Sequence, residues 1–178
     1  NNLDVKGKIV LLNSPLISYE QSLLYNYYGA NLASEEGAIA CLFRSFTNGS
    51  FDTPHTGEMT YTGKIKIPYA AITMEDAMMF NRLSKYGEKI IINMKMNAKK
   101  VADRWSKNVI GEIIGSKYPE QIIIVGGHID SWDIGQGAHD DGGACIAAWE
   151  VLRILKKLNL KPKRTIRCVL WTNKENGL

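Results

Sequence analysis

The sequence lacks an apolar run long enough to cross a membrane. Runs such as residues 122–125 are far shorter than the roughly 20 residues that a transmembrane helix requires. A clustered basic face, the usual footprint of nucleic-acid binding, is also missing, because the positive residues are scattered and the net charge is only +4. The densest basic stretch, residues 156–167, fits a solvated helix end and loop. Neither a membrane nor a nucleic acid is therefore predicted as a partner.

Cysteine is scarce as well. The three cysteines, Cys41, Cys145 and Cys168, are odd in number, and their spacing fits neither a disulfide framework nor a zinc finger. Each lies among apolar residues, which predicts buried free thiols. Cysteine therefore does not identify the compartment. The N-glycosylation triplet at residues 48–50 lies in a polar loop, and by itself it is weak evidence for an attached sugar.

The overall composition is that of an ordinary globular protein, with 45% hydrophobic and 22% charged residues. A chain of 178 residues is enough for one domain or two small ones. The first hundred residues alternate short apolar runs with helix-like spacing, which predicts a small mixed α/β unit. Thr73 and Asp76 fit a capping pattern at the start of its second helix. Strands are predicted at residues 8–13, 40–43, 67–73 and 89–96, and helices at residues 25–38 and 76–86.

A polar, charged segment at residues 98–107 is interpreted as a linker, and the pattern changes after it. Strands are predicted at residues 109–114, 122–127 and 165–172, with one long helix at residues 141–158. The order strand, loop, helix, strand predicts an α/β sheet with a parallel pair. The continuous apolar run at residues 122–127 predicts a strand covered on both faces. Ligands in such sheets bind beyond the carboxyl ends of the strands, where polar residues become site candidates.

His128 and Asp130 follow the second of these strands. Residues two apart in an extended chain point to the same side, so Asp130 can accept the ring N–H of His128. Such a contact fixes the tautomer and makes the other ring nitrogen a better metal ligand. The alternative interpretation is a core histidine beside a loop aspartate, and it is favoured for a lone His-x-Asp.

Asp140 and Asp141 open the long helix among glycines, next to His139. Aspartate is a good N-cap residue, but one aspartate is enough for a cap. A carboxylate can instead bridge two zinc ions and give one oxygen to each. From these residues alone the cap and the metal ligand stay open as interpretations.

Glu175 follows the last predicted strand, and in isolation an exposed loop glutamate is the favoured interpretation. Together, His128, Asp140 and Glu175 all lie at the carboxyl ends of neighbouring elements. They form a set of nitrogen and oxygen ligands of the kind that zinc accepts. Because a two-metal site can generate hydroxide at neutral pH, the set predicts a hydrolase centre.

Residues 127–143 read Gly-His-Ile-Asp-Ser-Trp-Asp-Ile-Gly-Gln-Gly-Ala-His-Asp-Asp-Gly-Gly. This long motif resembles the di-zinc exopeptidase family that includes bacterial leucyl aminopeptidases and glutamate carboxypeptidases. The resemblance covers essentially the whole chain. It extends to shorter segments at residues 5–10, 54–57, 67–68, 115–121 and 160–172.

This resemblance implies an α/β chain of two domains. Residues 1–105 would form a protease-associated domain, and residues 106–178 would form a truncated zinc-peptidase sheet domain. The implied enzyme is a metallo-exopeptidase, a carboxypeptidase or dipeptidase for small peptides, with two zinc ions in the complete protein. Water activated by the metal attacks the peptide carbonyl, and a glutamate moves the proton. The family is often homodimeric, and the implied location is secreted or lysosomal.

For individual residues the resemblance implies a division of roles. His128 binds one zinc ion and is oriented by Asp130, the candidate for a catalytic role. Asp140 bridges both ions and is joined to Asp141 by a cis peptide bond. Glu175 matches the second glutamate of a pair and is a further zinc ligand.

Two departures from the family pattern matter. The first glutamate of that pair, the general base of the family, is Lys174 here, and a lost base commonly costs about 10²–10⁴-fold in rate. The remaining Asp and His ligands of the family lie downstream, and this sequence ends at Leu178. The fragment alone is therefore expected to be inactive. Two alternatives stay open: a catalytically impaired family member that acts as a binding protein, and a sequence error near the end of the chain.

Overall fold

The structure is a computed structural model that describes residues 3–47, 49, 52–55, 57–99, 101–132 and 135–177. The chain divides into two compact units, Asn1–Lys99 and Lys100–Leu178. Asn48 and Ser50 of the glycosylation triplet and the final residue, Leu178, lie outside the described residues. Within the described ranges, no helix is both long and apolar enough to span a membrane.

The first unit is a three-stranded parallel sheet with two helices. Its strands are β1 (Ile9–Leu12), β2 (Ala40–Arg44) and β3 (Tyr69–Ile72), which lie in that order. Helix α1 (Tyr19–Glu35) joins β1 to β2, and α2 (Met74–Lys85) follows β3. The mixed α/β class predicted for this part of the chain is confirmed.

Side-chain caps explain where both helices begin. Ser18 Oγ accepts the backbone N–H of Gln21 at 3.2 Å, and α1 therefore begins earlier than its apolar spacing predicts. Thr73 Oγ1 accepts the N–H of Asp76 at 3.1 Å, so the predicted cap of α2 is confirmed. The buried core cluster of this unit consists mainly of small residues. Its members are Ala30, Ala33, Ala38, Cys41 and Ile67.

The strand predicted at residues 89–96 is wrong. Ile90, Ile92 and Met94 are half-buried and alternate with exposed residues, as in an extended chain. The segment nevertheless belongs to neither sheet of the described structure. Apolar alternation shows that one side of a segment is covered, whereas a strand also needs backbone partners on a neighbouring strand.

The second unit is a mixed three-stranded sheet with one helix. Strands β4 (Val109–Ile113), β5 (Tyr118–His128) and β6 (Arg164–Trp171) lie in the order β4-β6-β5. β4 pairs with β6 in antiparallel fashion, and β5 pairs with β6 in parallel fashion. Helix α3 (Gly142–Lys157) joins β5 to β6 and packs against the sheet. The predicted parallel pair is therefore confirmed.

The two parallel strands are held in register at both ends. At their beginning, the buried Thr165 hydroxyl donates to the carbonyl of Pro119 at 2.7 Å and accepts the N–H of Gly115 at 3.0 Å. At their carboxyl ends, His128 lies opposite Trp171. Side chains that follow β5 and β6 therefore start from the same edge of the sheet.

The prediction that residues 122–127 are covered on both faces is wrong. Ile122, Ile123 and Ile124 are 43%, 47% and 54% exposed. Among the described residues of this unit, α3 is the one long helix against the sheet, and a single helix covers only one face. The predicted state of the cysteines is confirmed, because all three are buried and free.

Candidate metal centre

The candidate metal centre begins at His128, the last residue of β5. Its ring is buried, and Nδ1 lies 2.9 Å from the backbone carbonyl oxygen of Asp130. A carbonyl oxygen can only accept a hydrogen bond, so Nδ1 carries the hydrogen. The second ring nitrogen, Nε2, faces the acidic side chains around it.

Three carboxylates lie close to His128 Nε2. Asp140 Oδ1 is 3.0 Å away, Asp141 Oδ2 is 3.8 Å away and Glu175 Oε1 is 4.0 Å away. The structure thus brings together the three side chains singled out from the sequence, and one ligand atom each of His128, Asp140 and Glu175 lies within 4.8 Å of the others. The role of these residues as metal ligands stays a prediction.

The chemistry of this group fits zinc. Two ligands at about 2.0–2.2 Å from one tetrahedral ion lie about 3.4 Å apart, and the separations from His128 Nε2 fall around that value. Glu175 Oε1 is also buried without a hydrogen-bond partner among the described residues. Burying a carboxylate oxygen without a partner costs free energy, which a bound cation would recover.

The carboxylate of Asp130 makes contacts that differ from the predicted one. The backbone carbonyl of Asp130 faces the ring at 2.9 Å, while its carboxylate oxygen Oδ1 stays 3.5 Å from Nδ1. The carboxylate instead accepts the N–H of Lys174 at 3.1 Å and the N–H of Glu175 at 2.9 Å. Burial raises the pKa of Asp130, but these backbone bonds outweigh burial and lower the pKa overall. Asp130 thus holds the turn that carries Glu175.

The surroundings of His128 favour positive charge on its ring. Burial lowers the pKa of His128, but the hydrogen bonds to the Asp130 carbonyl and the Asp140 carboxylate outweigh burial, and the pKa is raised overall. The charge of Asp141 raises this pKa further, whereas the ammonium of Lys174 lowers it. A site that attracts a proton between an imidazole and a carboxylate also attracts a metal cation there.

Asp140 and Asp141 are adjacent in sequence, but their side chains make different contacts. The peptide bond between them is cis, which confirms what the resemblance implies. Asp141 occupies the N-cap position of α3 but makes no side-chain capping bond. Its Oδ2 instead accepts the backbone N–H of His128 at 3.0 Å. Asp140 therefore faces the ring of His128, while Asp141 fastens the end of β5 to the start of α3.

Gly127 has a structural role that was not predicted from the sequence. A Cβ atom at this position would lie 2.7 Å from Asp141 Oδ2 and 2.9 Å from the backbone nitrogen of Cys145. Glycine therefore allows β5 to approach α3 closely enough for the contact between Asp141 and His128. The signal was the glycine pair directly before the histidine, which marks close approach of two backbones.

Lys174 lies at the open side of the centre. Its Nζ is 3.5 Å from Glu175 Oε2, and its side chain is 44% exposed. A cavity of about 440 Å³ opens next to the centre. The cavity is lined by Gly127, His128, Asp141, Trp171 and Lys174. His139, which also stands in the motif, is exposed and is not part of the ligand group.

The chain is similar to known peptidases over almost its whole length. Residues 108–178 match the family model of peptidase family M28. Over 175 residues the chain is 50% identical to carboxypeptidase Q of Homo sapiens, an alignment that covers 98% of this chain and 37% of that protein. The chain thus spans little more than a third of the length of this relative.

Solved structures of peptidases are also similar to this chain. A peptidase M28 precursor from Shewanella amazonensis SB2B is 34% identical, with a TM-score of 0.89 over 97% of this chain and 41% of that chain. BSAP, a zinc aminopeptidase from Bacillus subtilis, is 25% identical, with a TM-score of 0.57 over 94% of this chain and 36% of that chain. Residues 108–178 therefore match peptidase family M28, and the chain is similar over nearly its full length to carboxypeptidase Q.

Proposed function

We propose that the chain belongs to a zinc-dependent exopeptidase that hydrolyses small peptides, as a carboxypeptidase or a dipeptidase does. The observation that carries this proposal is the convergence of His128, Asp140 and Glu175, whose ligand atoms lie within 4.8 Å of one another. The buried Glu175 Oε1 supports it, because this oxygen has no hydrogen-bond partner among the residues that the structure describes and a cation would satisfy it. The names of the relatives support an exopeptidase in particular.

In this proposal His128, Asp140 and Glu175 would hold zinc, and the complete protein would hold two ions. The chemistry that zinc supplies at such a site is Lewis acidity towards water and the peptide carbonyl. The carbonyl of Asp130 keeps the His128 ring in one tautomer, with Nε2 towards the acidic side chains that would hold the metal. The carboxylate of Asp130 positions Glu175 through the backbone of its turn.

Lys174 leaves the proposed reaction without a general base at the position where the family has one. An ammonium group has no lone pair and cannot take a proton from water. A second candidate function is therefore a protein that binds peptide or metal without turnover, and the observation in its favour is that Lys174 Nζ lies 3.5 Å from the proposed ligand Glu175. In either case we expect the 178-residue chain by itself to be inactive.

The domain assignment is part of the same proposal. Residues 1–105 form a protease-associated domain, and residues 106–178 contribute to the zinc-peptidase domain. Similarity to carboxypeptidase Q over 98% of the chain supports both assignments. The glycosylation triplet at residues 48–50 favours a secreted or lysosomal protein. The proposed partners are a peptide substrate and a second copy of the protein.

Zinc binding to the 178-residue chain tests the metal site directly. We expect His128→Ala to weaken zinc binding at least 100-fold in a competition titration with a chromophoric chelator, because the one nitrogen ligand is lost. His55→Ala removes an exposed histidine of the first unit and serves as the matched control, with unchanged affinity. Equal zinc affinity of the two variants would contradict the proposed site.

Dipeptide hydrolysis by the complete gene product separates the two candidate functions. An exopeptidase cleaves unmodified dipeptides only with zinc and loses this activity in His128→Ala. A binding protein takes up zinc through His128 without turnover, and Lys174→Glu then brings activity back. Zinc-independent hydrolysis would contradict both functions.

A further inference from the structure

Lys174 is the one cationic side chain, apart from the His128 ring, for which the described structure gives an ion pair at the candidate metal centre. The remaining side chains there are acidic. They are Asp130, Asp140, Asp141 and Glu175. An ammonium group at this place meets the same negative charge that would attract a metal ion.

The backbone fixes Lys174 at this position. Its N–H donates to Asp130 Oδ1 at 3.1 Å, and the preceding residue, Asn173, has a left-handed conformation with a φ of 68°. Lys174 and Glu175 therefore leave the same anchored turn. The lysine side chain lines the cavity next to the ligand group rather than an unrelated surface.

The two oxygens of Glu175 have different surroundings. Oε2 lies 3.5 Å from Lys174 Nζ, whereas Oε1 is buried, has no hydrogen-bond partner in the described part of the chain and lies 4.0 Å from His128 Nε2. The Glu175 side chain is only 9% exposed, so its charge is poorly solvated and depends on neighbouring cations. Lys174 supplies positive charge on one side of this carboxylate, and a metal ion would supply it on the other.

We propose that Lys174 is a built-in cation that competes with zinc for the acidic centre, so that it lowers zinc affinity and stabilises the metal-free protein. This inference rests on the proposed metal site. Two cations a few ångström apart repel each other, and the repulsion is large where burial limits screening by water. Because Lys174 is half exposed, the effect is moderate, and removal of its charge is expected to tighten zinc binding by about tenfold at low salt.

The test compares zinc affinity in variants of the 178-residue chain. Lys174→Gln removes the charge and keeps much of the side-chain length, and Lys161→Gln removes an exposed lysine of the same unit as the matched control. We expect about a tenfold lower zinc Kd for Lys174→Gln at low ionic strength and no change for Lys161→Gln. The difference should shrink in 0.5 M salt, where the Debye length is only about 4 Å.

Thermal unfolding gives a second readout that a simple surface charge would not move. With a chelator present, Lys174→Gln should unfold at a lower temperature than the parent chain, because Glu175 has lost its neighbouring cation. With excess zinc, the difference in unfolding temperature between the variant and the parent chain should disappear or change sign. A ligand that binds more tightly stabilises the folded chain more.

The outcomes separate this inference from the metal site itself. Equal zinc affinities of Lys174→Gln and the parent chain at low salt, or weaker binding by the variant, would overturn the competition while leaving the site intact. Absence of zinc binding that depends on His128 would overturn the site and the inference together.

Discussion

Asp130→Asn is expected to loosen the turn that carries Glu175 while leaving every proposed zinc ligand in the sequence. The carboxylate accepts two backbone N–H groups, from Lys174 and Glu175, at 3.1 and 2.9 Å. Asparagine keeps one acceptor oxygen and replaces the other with an NH₂ group, which cannot accept. One of the two bonds is therefore lost, and an N–H donor is left facing another donor.

The expected loss in free energy of unfolding follows from the type of hydrogen bond that is removed. Hydrogen bonds to charged groups contribute about 1.5–3 kcal/mol each, so Asp130→Asn should cost about 1.5–3 kcal/mol and Asp130→Ala somewhat more. The Asp130 side chain is 20% exposed, which places the expected value at the lower end of that range. Residues that orient metal ligands typically change affinity by about 10–100-fold when replaced, and we expect zinc affinity to fall by that factor.

Tryptophan fluorescence during urea unfolding is the appropriate assay. The chain has four tryptophans, Trp105, Trp132, Trp149 and Trp171, and all of them lie in the second unit. The signal therefore reports the unit that contains the candidate site, without contributions from the first unit. With a slope of about 1 kcal/mol per molar urea for a unit of this size, the midpoint should fall by about 1.5 M or more.

The matched control for this experiment is Asp103→Asn, which changes an exposed aspartate of the same unit. Its unfolding midpoint and zinc affinity should equal those of the parent chain. If Asp130→Asn behaves like Asp103→Asn in both measurements, the carboxylate of Asp130 does not hold the turn, and the positioning argument is refuted.

Two further pairs of substitutions test the scaffold of the site by the same urea assay. Gly127→Ala places a Cβ 2.7 Å from an oxygen of Asp141 and should cost about 2 kcal/mol or more, whereas Gly111→Ala meets only an ordinary side-chain contact at 3.6 Å and should be nearly neutral. Thr165→Val removes the hydroxyl shared by Pro119 and Gly115 and should cost about 2–4 kcal/mol, whereas Thr165→Ser keeps that hydroxyl and should cost less. Equal midpoints within either pair would contradict the corresponding contact.

The helices and strands around the site were predictable from the sequence, and so was the proximity of the candidate ligands. Both follow from local sequence patterns. Apolar spacing located β5, α3 and β6, and the parallel pairing of β5 with β6 follows from their connection through a helix. Since carboxyl ends of parallel strands meet at one edge, His128 and Glu175 were expected to be neighbours. The structure places His128 Nε2 4.0 Å from Glu175 Oε1.

Contacts between distant segments were not predictable from those patterns. The carboxylate of Asp130 bonds to the backbone of Lys174 and Glu175, which are more than 40 positions away in the chain. The need for glycine at position 127 likewise depends on how closely α3 approaches β5. Residues 89–96 have the spacing of a strand, but pairing depends on whether a sheet edge lies beside them. Each of these features is set by a neighbour that is remote in sequence.

The open side of β5 has a practical consequence for handling the protein. Within the described residues, β5 is an edge strand of its sheet, and its three consecutive isoleucines at residues 122–124 are about half exposed. An uncovered strand edge of this kind is a template on which the same strand of another molecule can add, and aggregation then grows with concentration. Solutions of the chain should therefore remain free of aggregates only at low concentration. Light scattering measured before each titration would distinguish zinc binding from aggregation.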